Sequence, residues 1–556
     1  MRGAELGEQH AAEVHRRGRH APVMGGRVPI YSAGMTAPAS ESGARGRLGA
    51  VFYVSLGLSV AFVVVGLALP RVLSDALAEV RDVVVGSFGP VYPITVSLLL
   101  VFVVVLAVTP VGRVRLGGVD AVPEFGVVSW IAMLISAGVG LSFLFWGAAE
   151  PLIHLAEPPN GSSAPGSVEA ARDGMRYSFL FWGPHAWGIY AVVAIAIGYA
   201  AFNRGRGMLV SAALRPLLGR FADGWAGKCV DVLAVFAILF GVATSLGLGT
   251  GELNAGLTDR FGVADSYIVK IAIIVALMTF ATVSAMTGLG RGIRMLSLAN
   301  AALCVALLVL VFVWGPTGSI LGTLGQGLGD FAANFVPMSL ATEGTAGESW
   351  TGAWVYFFWA WWIGWAPFVG TFVARISRGR TIRGVVAGVV LLPSLVSIVW
   401  FSVFGGTSLE RELSGAVSVA GIAGKAKSVA TFAVFDTLPL TEIAFVLLIP
   451  VLALLFITSA DSASFMLGST TTGGSMKPPK PVRLMWSFAA AFAAVLLLSG
   501  GQEDLRGAAV IAAAPFTVIL VALVVSLIIM LRRDRPTSRK PHGRGEGPAD
   551  SAPPRE

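Results

Sequence analysis

Five tryptophans crowd one apolar run, at Trp354, Trp359, Trp361, Trp362 and Trp365. Tryptophan belts are common in membrane proteins, but they sit at helix ends. At 1.5 Å per residue, Trp361, Trp362 and Trp365 lie roughly 18–24 Å into a helical run, well past an interface. A second run carries Trp182, Trp187 and Tyr190, roughly 9–21 Å in from the same side by the same rise. Two aromatic clusters at overlapping depth are what a cage for a quaternary ammonium needs. Such a cation has no N–H to donate, so only dispersion and the negative faces of aromatic rings hold it. Packing or lipid-facing aromatics are the competing reading.

Two further stretches offer oxygen. Leu455 to Ser464 reads LFITSADSAS, and its adjacent hydroxyls, Thr458 and Ser459, suit a small hard cation. The alternative is that each hydroxyl bonds its own helix four residues back. Asp461 beside them is an intramembrane carboxylate, functional by default or an anchor near the inner end. Gly138-Val139-Gly140-Leu141-Ser142 interrupts another apolar run. Unwound there, it frees backbone groups that a membrane tolerates only around a cavity or an ion; left helical, it makes a close packing face. The glycine-rich stretch Phe240–Leu257 reads as a further packing face, with Glu252 near its outer end and in reach of water. Cys229 and Cys304 read as small buried hydrophobes.

The elements that must position these residues are set by composition. The chain has 556 residues, 55% hydrophobic and only 13% charged, with a mean hydropathy of +0.77. Soluble domains are roughly 25% charged, so an all-α polytopic membrane protein is expected. Twelve runs reach the roughly 20 residues that a bilayer requires: about 50–69, 88–109, 126–149, 176–201, 228–255, 266–288, 295–316, 349–373, 381–405, 439–469, 482–500 and 507–531. The glycine-rich stretch 318–340 reads as an interfacial helix on the outer side. Residues 1–48 and 532–556 read as cytoplasmic tails flanking a transmembrane domain over 49–531, the first of them disordered. No signal peptide is expected, because the first apolar run begins near residue 49, and Met24 or Met35 is a possible start.

The net charge is +8, but the basic residues sit in short loops, among them Arg113, Arg204, Arg291, Arg378 and Lys480. That is a pattern for anionic lipid rather than nucleic acid, and it puts both termini in the cytoplasm. A channel needs a hydrophilic pore or charged rings, and neither is evident. An intramembrane enzyme needs a nucleophile with a base in reach; His154 and His185 are the histidines near the membrane, and no H-E-x-x-H occurs.

From about residue 48 to 531 the chain resembles the betaine/carnitine/choline transporter family. The resemblance rests on RLGGVDAVPEF (Arg115–Phe125), SAGVGLSFLFWGAAEP (Ser136–Pro151), WGPHAWGIY (Trp182–Tyr190), FGVATSLGLG (Phe240–Gly249), WAWWIGWAPFVGTFVARISRGRTIR (Trp359–Arg383) and FITSADSASF (Phe456–Phe465). It implies a LeuT-like fold of two inverted five-helix repeats, spans 3–7 and 8–12, preceded by two extra helices. It also implies a plasma-membrane homotrimer that imports trimethylammonium compounds. Carried over by position, it implies a substrate box of Trp182, Trp187, Tyr190 and Trp362, with Trp361 and Trp365 meeting substrate during the cycle and Gly138, Gly140 and Ser142 on the span 3 segment. A sodium site would use backbone oxygens of Ser136, Val139 and Leu455 with the hydroxyls of Thr458 and Ser459.

The chain departs from the family pattern in places. Ser142 stands where sodium-coupled members have a third glycine and proton-coupled choline carriers an aspartate. Ile238 and Val242 stand where a second sodium site has threonines. No arginine lies between Asp231 and Leu257, against the arginine of sodium-independent antiporters. The expectation is a secondary transporter, not an enzyme, that imports a quaternary ammonium osmolyte such as glycine betaine with sodium as coupling ion and no cofactor. The alternatives are a proton-coupled choline transporter or a sodium-coupled carrier of ectoine or carnitine.

Overall fold

In the computed structural model, residues 48–138, 142–287, 292–340, 348–416, 430–439 and 441–534 are described, all within the unit Gly46–Glu556. The expected tails lie outside them, except Leu48 and residues 532–534. Every described element is helical. In chain order these are α1 (Ala50–Ala68), α2 (Pro70–Phe88), α3 (Val91–Val108), α4 (Val127–Gly138), α5 (Ser142–Ala156), α6 (Val168–Trp182), α7 (Pro184–Gly198), α8 (Trp225–Phe261), α9 (Tyr267–Thr287), α10 (Gly292–Trp314), α11 (Thr317–Ser339), α12 (Phe357–Ile376), α13 (Leu392–Leu413), α14 (Ala430–Asp436), α15 (Thr441–Thr471), α16 (Lys480–Ser499) and α17 (Gly501–Arg533), besides short helical turns.

Each of the twelve apolar runs falls on a helix or a helix pair. Among the described residues, nine helices are long and apolar enough to cross a bilayer, or ten if α10 and α11 count as one bent span. Reaching twelve requires joining α4 to α5 across Val139–Leu141 and counting α9. The stretch expected to be interfacial is α11, turned 109° from α10 at Gly315–Pro316.

α2 is unexpected. Arg71, Asp75, Glu79, Arg81 and Asp82 disqualify it as an apolar run, yet Leu73, Leu77, Val84 and Phe88 repeat at helical spacing. Pro70 opens it at a position where no N–H is needed. It is tied to α17 by Ser74 Oγ donating to Asp504 at 2.9 Å and by Arg81 to Glu503 at 3.2 Å. Large apolar side chains stay exposed along α1 and α3, including Leu67, Leu98, Val101 and Val108. A lipid phase satisfies such a surface; water does not.

Two helices are buried throughout. Every residue of α7 except Pro184 is buried, as is nearly all of α12. They pack on each other, and closely: a Cβ on Gly370 of α12 would lie 2.4 Å from Val193 Cβ on α7. α6 starts at Ser167, whose hydroxyl accepts from Ala170 N at 3.1 Å, an ordinary N-cap. Between α6 and α7 the chain kinks at Gly183–Pro184, because proline cannot donate into the helix ladder. That kink separates Trp182 from Trp187.

The loop before α4 and the loop after α12 are zipped together. Gly379 N donates to Leu116 O at 2.7 Å, Leu116 N to Arg380 O at 3.0 Å and Ile382 N to Val114 O at 2.9 Å. Gly379 has φ +81°, and a Cβ there would lie 2.2 Å from the Val122 carbonyl, so both conformation and space require glycine. Glu124 bridges Arg375 at 2.7 Å and Arg378 at 3.3 Å. Partial burial pushes its carboxyl pKa up, but the two guanidinium groups outweigh this and hold it below the ordinary value. A depressed folded pKa stabilises above the unfolded pKa and is lost as pH falls through the folded one. Glu124→Gln is therefore expected to lower the melting temperature slightly at pH 7. At acid pH, where wild-type Glu124 is protonated too, the difference should vanish. A gap that persists there would show that the bridge is not the cause.

Cys229 departs from expectation: it is exposed near the start of α8, while Cys304 is partly buried. The apolar neighbourhood of Cys229 in sequence hid that it lies on the outward side of its helix.

Candidate functional site

The rings meet where α6, α7 and α12 converge. Trp182 ends α6, so its ring stands at the kink. Trp187 and Tyr190 lie on α7 one turn apart, and Trp362 projects from α12. Trp182 and Trp362 have ring centroids 5.0 Å apart at 85°. Tyr190 and Trp362 are 6.1 Å apart at 80°, and Trp187 and Tyr190 are 5.7 Å apart at 87°. Near-perpendicular planes at these separations are those of adjoining walls, the arrangement in which several ring faces serve one cation. Trp362 is pinned by its Nε1–H donating to Phe181 O at 2.8 Å. Trp182, Trp187, Tyr190 and Trp362 are each at most 5% exposed. The cluster is thus closed to solvent, and a solute enters only when the surrounding helices part.

Trp361 and Trp365 point elsewhere. A helix turns about 100° per residue, so Trp361 and Trp365, four apart, share a face that Trp362 does not. Trp361 Nε1 donates to Ser245 Oγ at 3.3 Å and Trp365 Nε1 to Gly241 O at 3.0 Å, both on α8. Trp361 still touches the cluster, stacked on Trp362 at 5.5 Å and edge-on to Trp182 at 6.1 Å. Trp365 has Phe368 as its ring neighbour. Ile238 and Val242 are buried apolar residues of α8.

Gly138 ends α4 under Trp187, whose ring atoms lie 2.4 and 2.5 Å from where a Cβ would be. Any side chain there would displace a cluster ring. Ser142 opens α5, Ser136 lies in the last turns of α4, and Val139 and Gly140 fall outside the described residues.

The candidate ion residues sit on α15, which is helical through them and packs against α4. Leu455 and Thr458 are buried and Ser459 is half-buried. Thr458 Oγ1 donates back to Leu454 O at 2.8 Å and Leu455 O at 3.2 Å. That uses its proton and leaves the oxygen lone pairs able to face a cation. No cluster of three or more His, Cys, Asp or Glu side chains suited to a metal occurs among the described residues.

Asp461 belongs to a buried ion pair. Its Oδ1 lies 2.5 Å from Arg483 Nη2, the side chains 2% and 6% exposed, and the pair joins α15 to α16. Removing one member of such a pair costs about 3–5 kcal/mol, whereas replacing both with apolar residues is often neutral. Arg483→Met is expected to lower the melting temperature by several degrees, and Asp461→Leu in addition to restore most of it. A double variant no more stable than the single would contradict the anchor role. Glu252, expected in reach of water, is half-buried, and its Oε2 is buried with no hydrogen-bond partner among the described residues.

Glu150 escaped the sequence reading, and His154 entered it only as a histidine near the membrane. Glu150 is fully buried on α5, and its Oε2 accepts from Trp182 Nε1 at 2.8 Å. His154, one turn later, has Nε2 3.9 Å from Glu150 Oε1. A carboxylate at the very end of an apolar run, inside the stretch Ser136–Pro151, was the available signal.

The model of the betaine/carnitine/choline family transporter matches residues 50–536. The chain is 40% identical over 442 residues to the glycine betaine transporter OpuD of Bacillus subtilis (strain 168), covering 79% of this chain and 85% of that protein. It is 38% identical to glycine betaine transporter 1 of Vibrio parahaemolyticus, covering 79% and 84%. To the ectoine/hydroxyectoine transporter of Virgibacillus pantothenticus it is 38% identical, covering 78% and 87%.

Proposed function

The chain belongs to the betaine/carnitine/choline transporter family, and on that premise we propose that it imports glycine betaine together with sodium. It is a multi-pass membrane transporter and not an enzyme. The observation that carries the substrate reading is the corner made by Trp182, Tyr190 and Trp362, with Trp187 beside it. Perpendicular ring faces suit a trimethylammonium group that cannot donate a hydrogen bond. Ectoine is the second reading, supported by the similarity to an ectoine/hydroxyectoine transporter.

For the ion, the support is the Thr458–Ser459 pair on α15 against α4, the helix that ends at Gly138 beneath Trp187. Sodium held there would steady the end of α4, where Gly138 lies beneath a ring of the cage. Ion and substrate would then favour the same conformation, a coupling that is reciprocal in binding. The proposal includes twelve spans arranged as two inverted repeats, a homotrimer, and both termini in the cytoplasm. Cys229, exposed near the start of α8, tests the orientation. A membrane-impermeant maleimide is expected to label it in inside-out vesicles and not in intact cells; labelling in intact cells would reverse the topology.

The substrate is tested by uptake of radiolabelled glycine betaine, choline, carnitine and ectoine into proteoliposomes, each with and without sodium. Glycine betaine should be taken up fastest, and only with sodium. Preference for ectoine would install the second reading, and preference for choline under a pH gradient would move the protein to proton coupling.

A further inference from the structure

Trp182 is the most connected ring of the cluster, in contact with Phe143, Phe358, Trp361, Trp362 and Phe401. It is also the one whose N–H goes to a carboxylate. The other cluster indoles with assigned partners donate to a backbone carbonyl, as Trp362 does, or to a hydroxyl, as Trp361 does. Glu150 is 0% exposed, and burying a carboxyl group is expensive unless it has a task or a partner. One hydrogen-bond donor to it is an indole of the cage.

From this geometry we infer that Glu150 is a positioning and electrostatic residue of the substrate cage, acting through Trp182 on the cationic group of the solute. The inference rests on the quaternary ammonium reading above. An indole N–H bond lies in the ring plane, so holding Trp182 by that bond fixes its rotation and leaves both ring faces free. An anionic acceptor also makes a stronger hydrogen bond than a neutral one and pushes electron density into the ring, which deepens its attraction for a cation. Burial alone favours the neutral acid; a bound ammonium one ring away favours the ionised form, through a medium that screens far less than water, so charge on Glu150 and cation binding support each other. His154 lies 3.9 Å from the second oxygen and so limits how Glu150 can swing.

The test is equilibrium binding of radiolabelled glycine betaine to the full-length purified protein, with tert-butylacetate, its uncharged-head carbon isostere, as competitor. Glu150→Gln keeps an acceptor and removes the charge; it should raise the Kd for betaine roughly tenfold and leave the competitor's affinity nearly unchanged. Glu150→Asp keeps the charge and should bind betaine more tightly than Glu150→Gln. If Glu150→Gln does not fold, Trp182→Phe takes its place: it keeps a ring face, severs the bond to Glu150, and should weaken betaine more than tert-butylacetate. Betaine and its isostere weakened equally, or betaine unaffected, in a folded variant would overturn the inference. Wild-type protein that binds ectoine but no trimethylammonium solute would overturn the functional reading and this inference with it.

Discussion

Trp362→Leu is expected to weaken glycine betaine binding roughly thirtyfold, the equivalent of the 2 kcal/mol or more of a desolvated cation–π contact. Trp362 touches Trp182, Tyr190 and Trp361, so its loss opens a wall of the corner and removes one of the faces. Trp354→Leu is the matched control. Trp354 is equally buried, 3% exposed, and packs on Trp146, His154 and Phe358, one step away from the cage. Its replacement should cost stability of the sort that large-to-small core changes cost while changing the Kd by roughly threefold or less. Radioligand binding to folded protein separates the two effects. Equal losses of affinity in both variants would mean that the aromatic cluster is packing and not a binding site.

The double variant Thr458→Ala, Ser459→Ala is expected to raise the sodium concentration for half-maximal uptake roughly tenfold or more, because a hard cation is left with too few oxygens. Betaine affinity at saturating sodium should recover substantially, since the aromatic rings are untouched. Thr458→Val refines the test: it keeps the shape of the side chain and removes the oxygen. Sodium cooperativity should be low, because Ile238 and Val242 offer no hydroxyl on α8. An unchanged sodium dependence in the double variant would remove these residues from the ion site.

The helices were legible because each span is an apolar run of bilayer length. Which residues meet was harder. Trp361, Trp362 and Trp365 look alike in sequence, and only the positions of α7 and α8 separate the one that faces the cage from the two that bond to α8. The kink at Gly183–Pro184 was written in the proline, but its effect, turning Trp182 toward Trp362, depends on α12. α2 was missed because a search for uncharged runs discards amphipathic helices. Asp461 was recognisable as an intramembrane carboxylate, yet its partner Arg483 was not, since an arginine at the start of α16 carries no mark of the helix it faces. Glu150 was passed over inside a motif valued for its small residues; its role lies in a contact with Trp182, thirty-two positions along the chain.

The central claim, that this chain concentrates a quaternary ammonium solute at the expense of a sodium gradient, is tested most directly by initial uptake of radiolabelled glycine betaine into proteoliposomes. An inward sodium gradient should drive accumulation above the external concentration, and sodium ionophore should abolish it. Equal accumulation with sodium replaced by potassium and an inward proton gradient imposed would contradict the claim.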